Sequence, residues 1–226
     1  MSVQQTIENS LEILLKQKIK ILGAGRTDTG VHAKQMYAHF DFEESLDSEN
    51  LIYKLNAFLN NDIGIVNIHK VRHDSHARFD AISREYEYYI TQIKDVYNHD
   101  KKYFFSKKLD FDKIDKAIDI LKNTKNFKSF CRTKSDVTNY NCEIFDFHYE
   151  IKESEIVFRI RANRFLRNMV RSLIGTILDI SLNKISIKNL LEIIEKSNRI
   201  YAGPSVPAHA LFLSNVEYPK NVFLDE

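Results

Sequence analysis

Apolar positions along this chain recur at two different periods, near four and near two, so the pattern predicts a protein of mixed helices and strands. Ile7, Leu11, Leu14 and Leu15 fall on one helical face, which predicts a helix over 6–18. Ser2 and Gln5 have the spacing of a capping box in front of it. Leu51, Leu55, Phe58 and Leu59 predict a second helix, opened by Asp47 or Ser48. A third begins at Asp112 and turns Ile114, Ala117, Ile118 and Leu121 inward. The clearest is expected over 165–180, where Leu166, Met169, Val170, Leu173, Ile174 and Ile177 form one stripe. Ser186 caps the last, with Leu190, Leu191, Ile193 and Ile194 inward.

Strands are expected in seven runs, four of which (35–42, 84–91, 143–151 and 155–162) alternate with a period of two. The runs are 19–22, 35–42, 63–71, 84–91, 143–151, 155–162 and 211–216. In 84–91, Arg84, Tyr86, Tyr88 and Ile90 share one face. In 143–151, Phe145, Phe147, Tyr149 and Ile151 do the same, and Lys152-Glu153-Ser154 turns the chain into 155–162 as a hairpin. The polar, aromatic-dotted stretch 96–106 is the expected connection between two halves, 1–100 and 101–226. No internal repeat is visible, although the order of strands and helices is loosely similar in the two halves.

Composition changes this picture little. The 226 residues are 43% hydrophobic and 28% charged, the usual balance of a folded globular chain. No apolar run approaches the ~18–20 residues of a membrane span, and the N-terminus carries no signal-peptide pattern. Cys131 and Cys142 make neither a disulfide framework nor a zinc pattern. These features predict a cytoplasmic protein without membrane contact. The net charge of +2 hides uneven distribution. Five arginines and no acid lie between Arg159 and Arg171, and five basic residues and no acid between Lys122 and Lys134. Separated basic runs fit a phosphate-binding face.

The candidate chemistry centres on Gly23-Ala24-Gly25-Arg26-Thr27-Asp28-Thr29-Gly30-Val31-His32-Ala33, which holds three closely spaced glycines of the six in the chain. It follows an apolar strand, so Asp28 is expected on a tight loop at a strand end. Arg26 lies two residues away, and a neighbouring guanidinium favours the ionised carboxylate. In that form an aspartate is a nucleophile. Asp, Thr and Gly are also ordinary turn residues, and Asp28 alone would suit an Asx-turn. His73 and His76 share a polar loop, but no cysteine supports a metal site there and none is expected.

From Gly25 to Ala33 the string resembles the signature loop of the tRNA pseudouridine synthases of the TruA family, G-R-T-D-x-G-V-H-A, at every fixed position. Four further segments resemble that family in order. They are His76-Ala77-Arg78-Phe79, the strand with Tyr86, the run 163–171 ending in Met169-Val170-Arg171, and Ala202-Gly203-Pro204-Ser205-Val206-Pro207-Ala208-His209. The resemblance implies an α+β pseudouridine synthase-like fold. Two related halves join antiparallel sheets into one, with helices on one side and an active-site cleft between. It implies Asp28 as catalytic nucleophile with Arg171 beside it, and Tyr86 and Arg26 as substrate-binding residues. His76, Ala77, Arg78, Phe79, Lys134, Arg164 and Arg167 become RNA contacts, and His209 a structural residue. Aromatics and arginine planes suit stacking on unpaired bases.

The implied reaction is isomerisation of uridine to pseudouridine at positions 38 to 40 of the tRNA anticodon stem-loop. The implied assembly is a homodimer, and no metal, nucleotide or redox cofactor is expected. The chain departs from the family pattern in two places. Thr138 and Asn139 replace an expected arginine and threonine, and no Gly-Trp-Gln precedes Ser2, since the sequence holds no tryptophan. It is therefore expected to be shortened at its N-terminus by a sheet strand, which would leave backbone groups unpaired and a sheet edge open. Two other classes stay open at this point. One is an RNA-binding remnant without activity. The other is an aspartic protease built on Asp28-Thr29-Gly30, which would need a second aspartate to share a proton.

Overall fold

The computed structural model describes residues 1–133 and 137–224. Among them are five α-helices: α1 (Val3–Leu15), α2 (Ser48–Phe58), α3 (Phe111–Lys122), α4 (Met169–Ser181) and α5 (Ile187–Lys196). The strands are β1 (Leu22–Gly23), β2 (His32–Ala33), β3 (Ala38–His39), β4 (Ser83–Thr91), β5 (Tyr103–Phe104), β6 (Ile144–Lys152), β7 (Glu155–Ala162) and β8 (Leu211–Glu217). The chain divides into two compact units, one of residues 1–26, 36–81 and 218 onward, the other of 27–35 and 82–217.

In the first unit α1 starts directly after Ser2, whose hydroxyl accepts the Gln5 N–H. The Gln5 side chain turns to Asn9, so the expected box closes on one side only. Asp47, rather than Ser48, caps α2 by accepting the Asn50 N–H. Leu11 of α1 and Leu51 and Leu55 of α2 meet Ile19, Ile21 and Leu59 in a small core. Burying each such side chain contributes about 1.5–3 kcal/mol.

Three expected strands shrink here. The run 19–22 keeps only Leu22, exposed at the start of β1. The run 35–42 keeps only β3, paired antiparallel with β1. The run 63–71 is not a strand, because the Asn56 side chain takes both the N–H and the C=O of Ile65, at 2.7 and 2.8 Å. A side chain that satisfies backbone groups locally competes with a ladder. Only Val71 pairs, bridging to Phe223.

The second unit holds a mixed six-stranded sheet in the order β2-β8-β4-β7-β6, with β5 added to the end of β4. β4 is central, antiparallel to both β7 and β8, whereas β2 and β5 pair in parallel. Tyr88 and Ile90 of β4 and Ile156, Phe158 and Ile160 of β7 are buried with α3, α4 and α5 residues in one large core. All four expected inward residues of α3, Ile114, Ala117, Ile118 and Leu121, are in it. Ser186 caps α5 with a complete box to Asn189.

Four expectations change in this unit. Leu191, expected inward on α5, is exposed. The stretch 96–106 contains a short strand, β5. A register shift between Ile144 and Asp146 interrupts the alternation of β6, so Ile144 is buried while Phe145 is exposed, and Ile151, one residue from the end of the strand, is exposed as well. The helix expected from 165 begins at Met169, because Asn168 adopts a left-handed conformation, φ 65°. Asparagine tolerates that region, and a helix does not pass through it. The apolar stripe runs on across the break, since Leu166 packs into the same core from the turn before the helix.

Candidate active site

Asp28, Tyr86 and Arg171 all belong to the second unit. Asp28 sits in a turn closed by its own carbonyl, which accepts the Val31 N–H at 3.1 Å. Gly30 makes that turn possible with φ +84°, a conformation open to glycine and strained for other residues. Immediately afterwards His32 and Ala33 pair with Phe212 and Leu213 of β8. This two-residue ladder ties the aspartate turn to the sheet. Arg171 enters from the first turn of α4, and Tyr86 from the centre of β4.

The Arg171 Nη1 donates to Asp28 Oδ2 at 2.9 Å. The two side chains are 20% and 17% exposed, so the pair is largely shielded from water. A hydrogen bond to a charged group contributes about 1.5–3 kcal/mol. The other carboxylate oxygen, Oδ1, has Arg167 Nε at 3.9 Å. The sequence pattern predicts Arg167 on an RNA-binding surface; its exposed side chain lies beside the aspartate as well.

Burial pushes the Tyr86 phenol up to about 12; the Arg84 charge opposes this and the Asp28 charge adds to it. Tyr86 is therefore a neutral phenol at ordinary pH, within electrostatic reach of Asp28. Its ring meets Phe165 edge-on, with centroids 5.1 Å apart and planes at 89°. Periodicity puts Phe165 in the helix rather than in the turn before it, so the sequence gives no sign of this contact. Arg164 is half-buried, and its charge pulls down a Cys142 thiol that burial raises to about 11.

Of the other expected site residues, Arg26 and the segment 76–79 fall in the first unit. Arg26 is exposed. His76, Ala77, Arg78 and Phe79 form a turn held by paired imidazoles. His39 Nδ1 accepts the Ala77 N–H at 3.0 Å, and His76 Nδ1 accepts the Arg78 N–H at 3.1 Å. Burial, and then His76, pull the His39 imidazole below its ordinary value, which fits a ring that accepts at Nδ1. Phe79 is 74% exposed, with the His76 ring 4.3 Å from its centroid and the Arg78 guanidinium over its face at 5.7 Å. Lys134 lies outside the described residues. His209 is half-buried in the second unit, with Nε2 3.2 Å from the Lys102 carbonyl. Among the described residues no group of three or more His, Cys, Asp or Glu side chains is gathered to hold a metal ion, and no helix is long and apolar enough to cross a membrane.

A family model described as tRNA pseudouridine synthase matches residues 117–219. The tRNA pseudouridine synthase A of Azobacteroides pseudotrichonymphae is 45% identical over 222 residues, 98% of this chain and 89% of the relative. The chain belongs to the tRNA pseudouridine synthase family. Another member with this name, from Parabacteroides distasonis, is 45% identical over 99% of this chain and 89% of its own length. A more distant synthase, tRNA pseudouridine synthase A 1 of Bacillus thuringiensis subsp. konkukian, is 35% identical over 96% of this chain and 89% of its own length. The family match includes α4 with Arg171 and the 202–209 loop, while the curated synthases extend the similarity over nearly the whole chain.

Proposed function

We propose that this chain isomerises uridine to pseudouridine in the tRNA anticodon stem-loop, at positions 38 to 40, with Asp28 as nucleophile. The observation that carries the reading is the shielded Arg171–Asp28 pair at 2.9 Å, within electrostatic reach of the neutral phenol of Tyr86. Membership of a family whose relatives are named tRNA pseudouridine synthase A supports the reaction and its substrate.

The isomerisation breaks the bond from ribose C1′ to the base nitrogen and forms one from C1′ to a ring carbon. That carbon loses its proton and the nitrogen gains one, so no oxidant or reductant is consumed. In the proposed sequence the uridine leaves the stack and its ring lies on Tyr86. Stacking on an aromatic is worth about 1–3 kcal/mol per base, which offsets part of the few kcal/mol needed for flipping. Arg171 holds Oδ2, and the freer Oδ1 attacks the nucleoside. The detached base rotates and re-bonds through carbon. Arg26, Arg164, Arg167, Lys134 and the turn 76–79 bind the RNA. The exposed Phe79 ring, backed by His76 and Arg78, has the form of a stacking platform.

The finer architecture implied by the family is part of this proposal: two related halves, 1–100 and 101–226, in a cytoplasmic homodimer. The deciding experiment counts pseudouridine in tRNA incubated with the purified chain. Asp28→Asn is expected to form none while binding tRNA as well as the unaltered protein. Turnover by Asp28→Asn would refute the nucleophile. An unaltered chain that binds tRNA but forms no pseudouridine would be an RNA-binding remnant.

A further inference from the structure

The loop 202–209 resembles a family motif, but nothing above gives it a task. Its backbone lies directly against Arg171. The Val206 carbonyl accepts Arg171 Nε at 2.8 Å, and the Val206 N–H donates to the Arg171 carbonyl at 3.2 Å. A guanidinium is planar, so fixing Nε fixes the direction of Nη1, and Nη1 is the atom on Asp28.

The loop is in turn held from two sides. From the sheet, the Tyr88 hydroxyl donates to the Pro207 carbonyl at 3.0 Å, one residue beyond Val206. Tyr88 is 1% exposed on the central strand, two residues from Tyr86. From the helix, Thr176 Oγ1 accepts the Gly203 N–H at 3.0 Å. The fit on that side is close. A methyl at Gly203 would lie 2.7 Å from the Thr176 Cα, and one at Gly175 1.7 Å from the Pro204 carbonyl oxygen.

We propose that residues 203–207 are a positioning strut for Arg171, pinned by Tyr88 and Thr176, which aims the guanidinium at Asp28. The inference rests on the proposed reaction. Neither Tyr88 nor Thr176 is given contact with the substrate; both act through a backbone carbonyl on the arginine. Burial first, and then Tyr103, raise the Tyr88 phenol above its usual range, with the Arg171 charge opposing, so the hydroxyl stays a donor throughout the working pH.

The test compares Tyr88→Phe and Thr176→Val, each nearly isosteric, with a control. Thr91→Val deletes the hydroxyl of another buried side chain, which donates to the Ile93 carbonyl at 2.7 Å and accepts the Ile93 N–H at 3.3 Å, at the end of the strand that carries Tyr88. Single-turnover pseudouridine formation and tRNA Kd are measured for the unaltered protein and each variant. A misdirected catalytic group costs up to about 100-fold, so a partly loosened strut is expected to slow the reaction about tenfold. The Kd should stay within about twofold, and Thr91→Val should react at the unaltered rate.

Unchanged rates in Tyr88→Phe and Thr176→Val would overturn the strut. So would an equal slowing in Thr91→Val, which would mean general loosening, or a change confined to Kd. If Tyr88→Phe does not fold, Thr176→Val decides alone, since it loosens the same loop from the helix side. Failure of the unaltered chain to form pseudouridine would instead count against the proposed function, so the two failures are distinct.

Discussion

At the scale of single residues, two carboxylates of the second unit are held by cations in different ways. One is Asp28 with Arg171. The other is Glu87 on β4, 4% exposed, which receives Lys34 Nζ at 2.5 Å, Tyr89 Oη at 2.5 Å and Arg159 Nη1 at 2.8 Å. Burial raises the Glu87 carboxyl, but the hydrogen bonds from Lys34 and Tyr89 and the charges of Lys34 and Arg159 outweigh it, so the net shift is downward. A carboxylate depressed in the folded state stabilises it fully above the unfolded value of 4.5, and that stability is lost as pH falls through the folded value. Asp95 follows the same sign. Hydrogen bonds from Asn98, then Lys102 and the backbone, outweigh desolvation and hold it at about 2. The Tm of the unaltered protein should therefore drop steeply below about pH 4.5. Glu87→Gln should have a lower Tm at neutral pH and a shallower acid limb. Thermal melts of both proteins from about pH 7 to about pH 3 check this; parallel acid limbs would remove Glu87 from the account.

At the scale of elements, caps and turns decide where each functional side chain stands. Asn168 ends the turn that carries Phe165 and Arg167 and starts the helix that carries Arg171, so one left-handed residue separates two faces of the site. Gly30 does the same for Asp28 and β2. The distal helix α5 is exposed at its start, where Ser186 and Asn189 exchange hydrogen bonds. Ser186→Ala should cost about 1 kcal/mol, read as a lower urea midpoint with the slope unchanged. Lys188→Ala, on the same exposed turn, should change stability by less than about 0.5 kcal/mol. A cost as small for Ser186→Ala would show that the box adds nothing.

At the scale of the whole molecule, the two units differ in how their backbones are satisfied. The second has a six-stranded sheet whose central strand is paired along both edges. The first has two helices and a ladder only two residues long. Hydrogen exchange should be slowest at Ile90, Ile160 and Ile177, which lie in β4, β7 and α4 and are at most 1% exposed. It should be faster at Gly23 and His39 in the β1–β3 ladder. Equal protection in both places would show that the chain opens as one cooperative body.

Much of this was legible in the sequence because it depends on local pattern. The periodic stripes located α2, α3 and α5, and alternation located β4 and β7. The signature around Asp28, with Tyr86 and Arg171 at their places, pointed to the family before any geometry was known. What the sequence could not disclose was chosen by partners distant along the chain. Whether 63–71 becomes a strand depended on the Asn56 amide taking its backbone groups. The proposed strut on Arg171 works through backbone N–H and carbonyl groups, which no letter distinguishes. Residue types settled which chemistry was possible, because reactivity belongs to side chains. Only tertiary structure settled their orientation, because long-range hydrogen bonds and close packing decide which backbone atoms face a guanidinium.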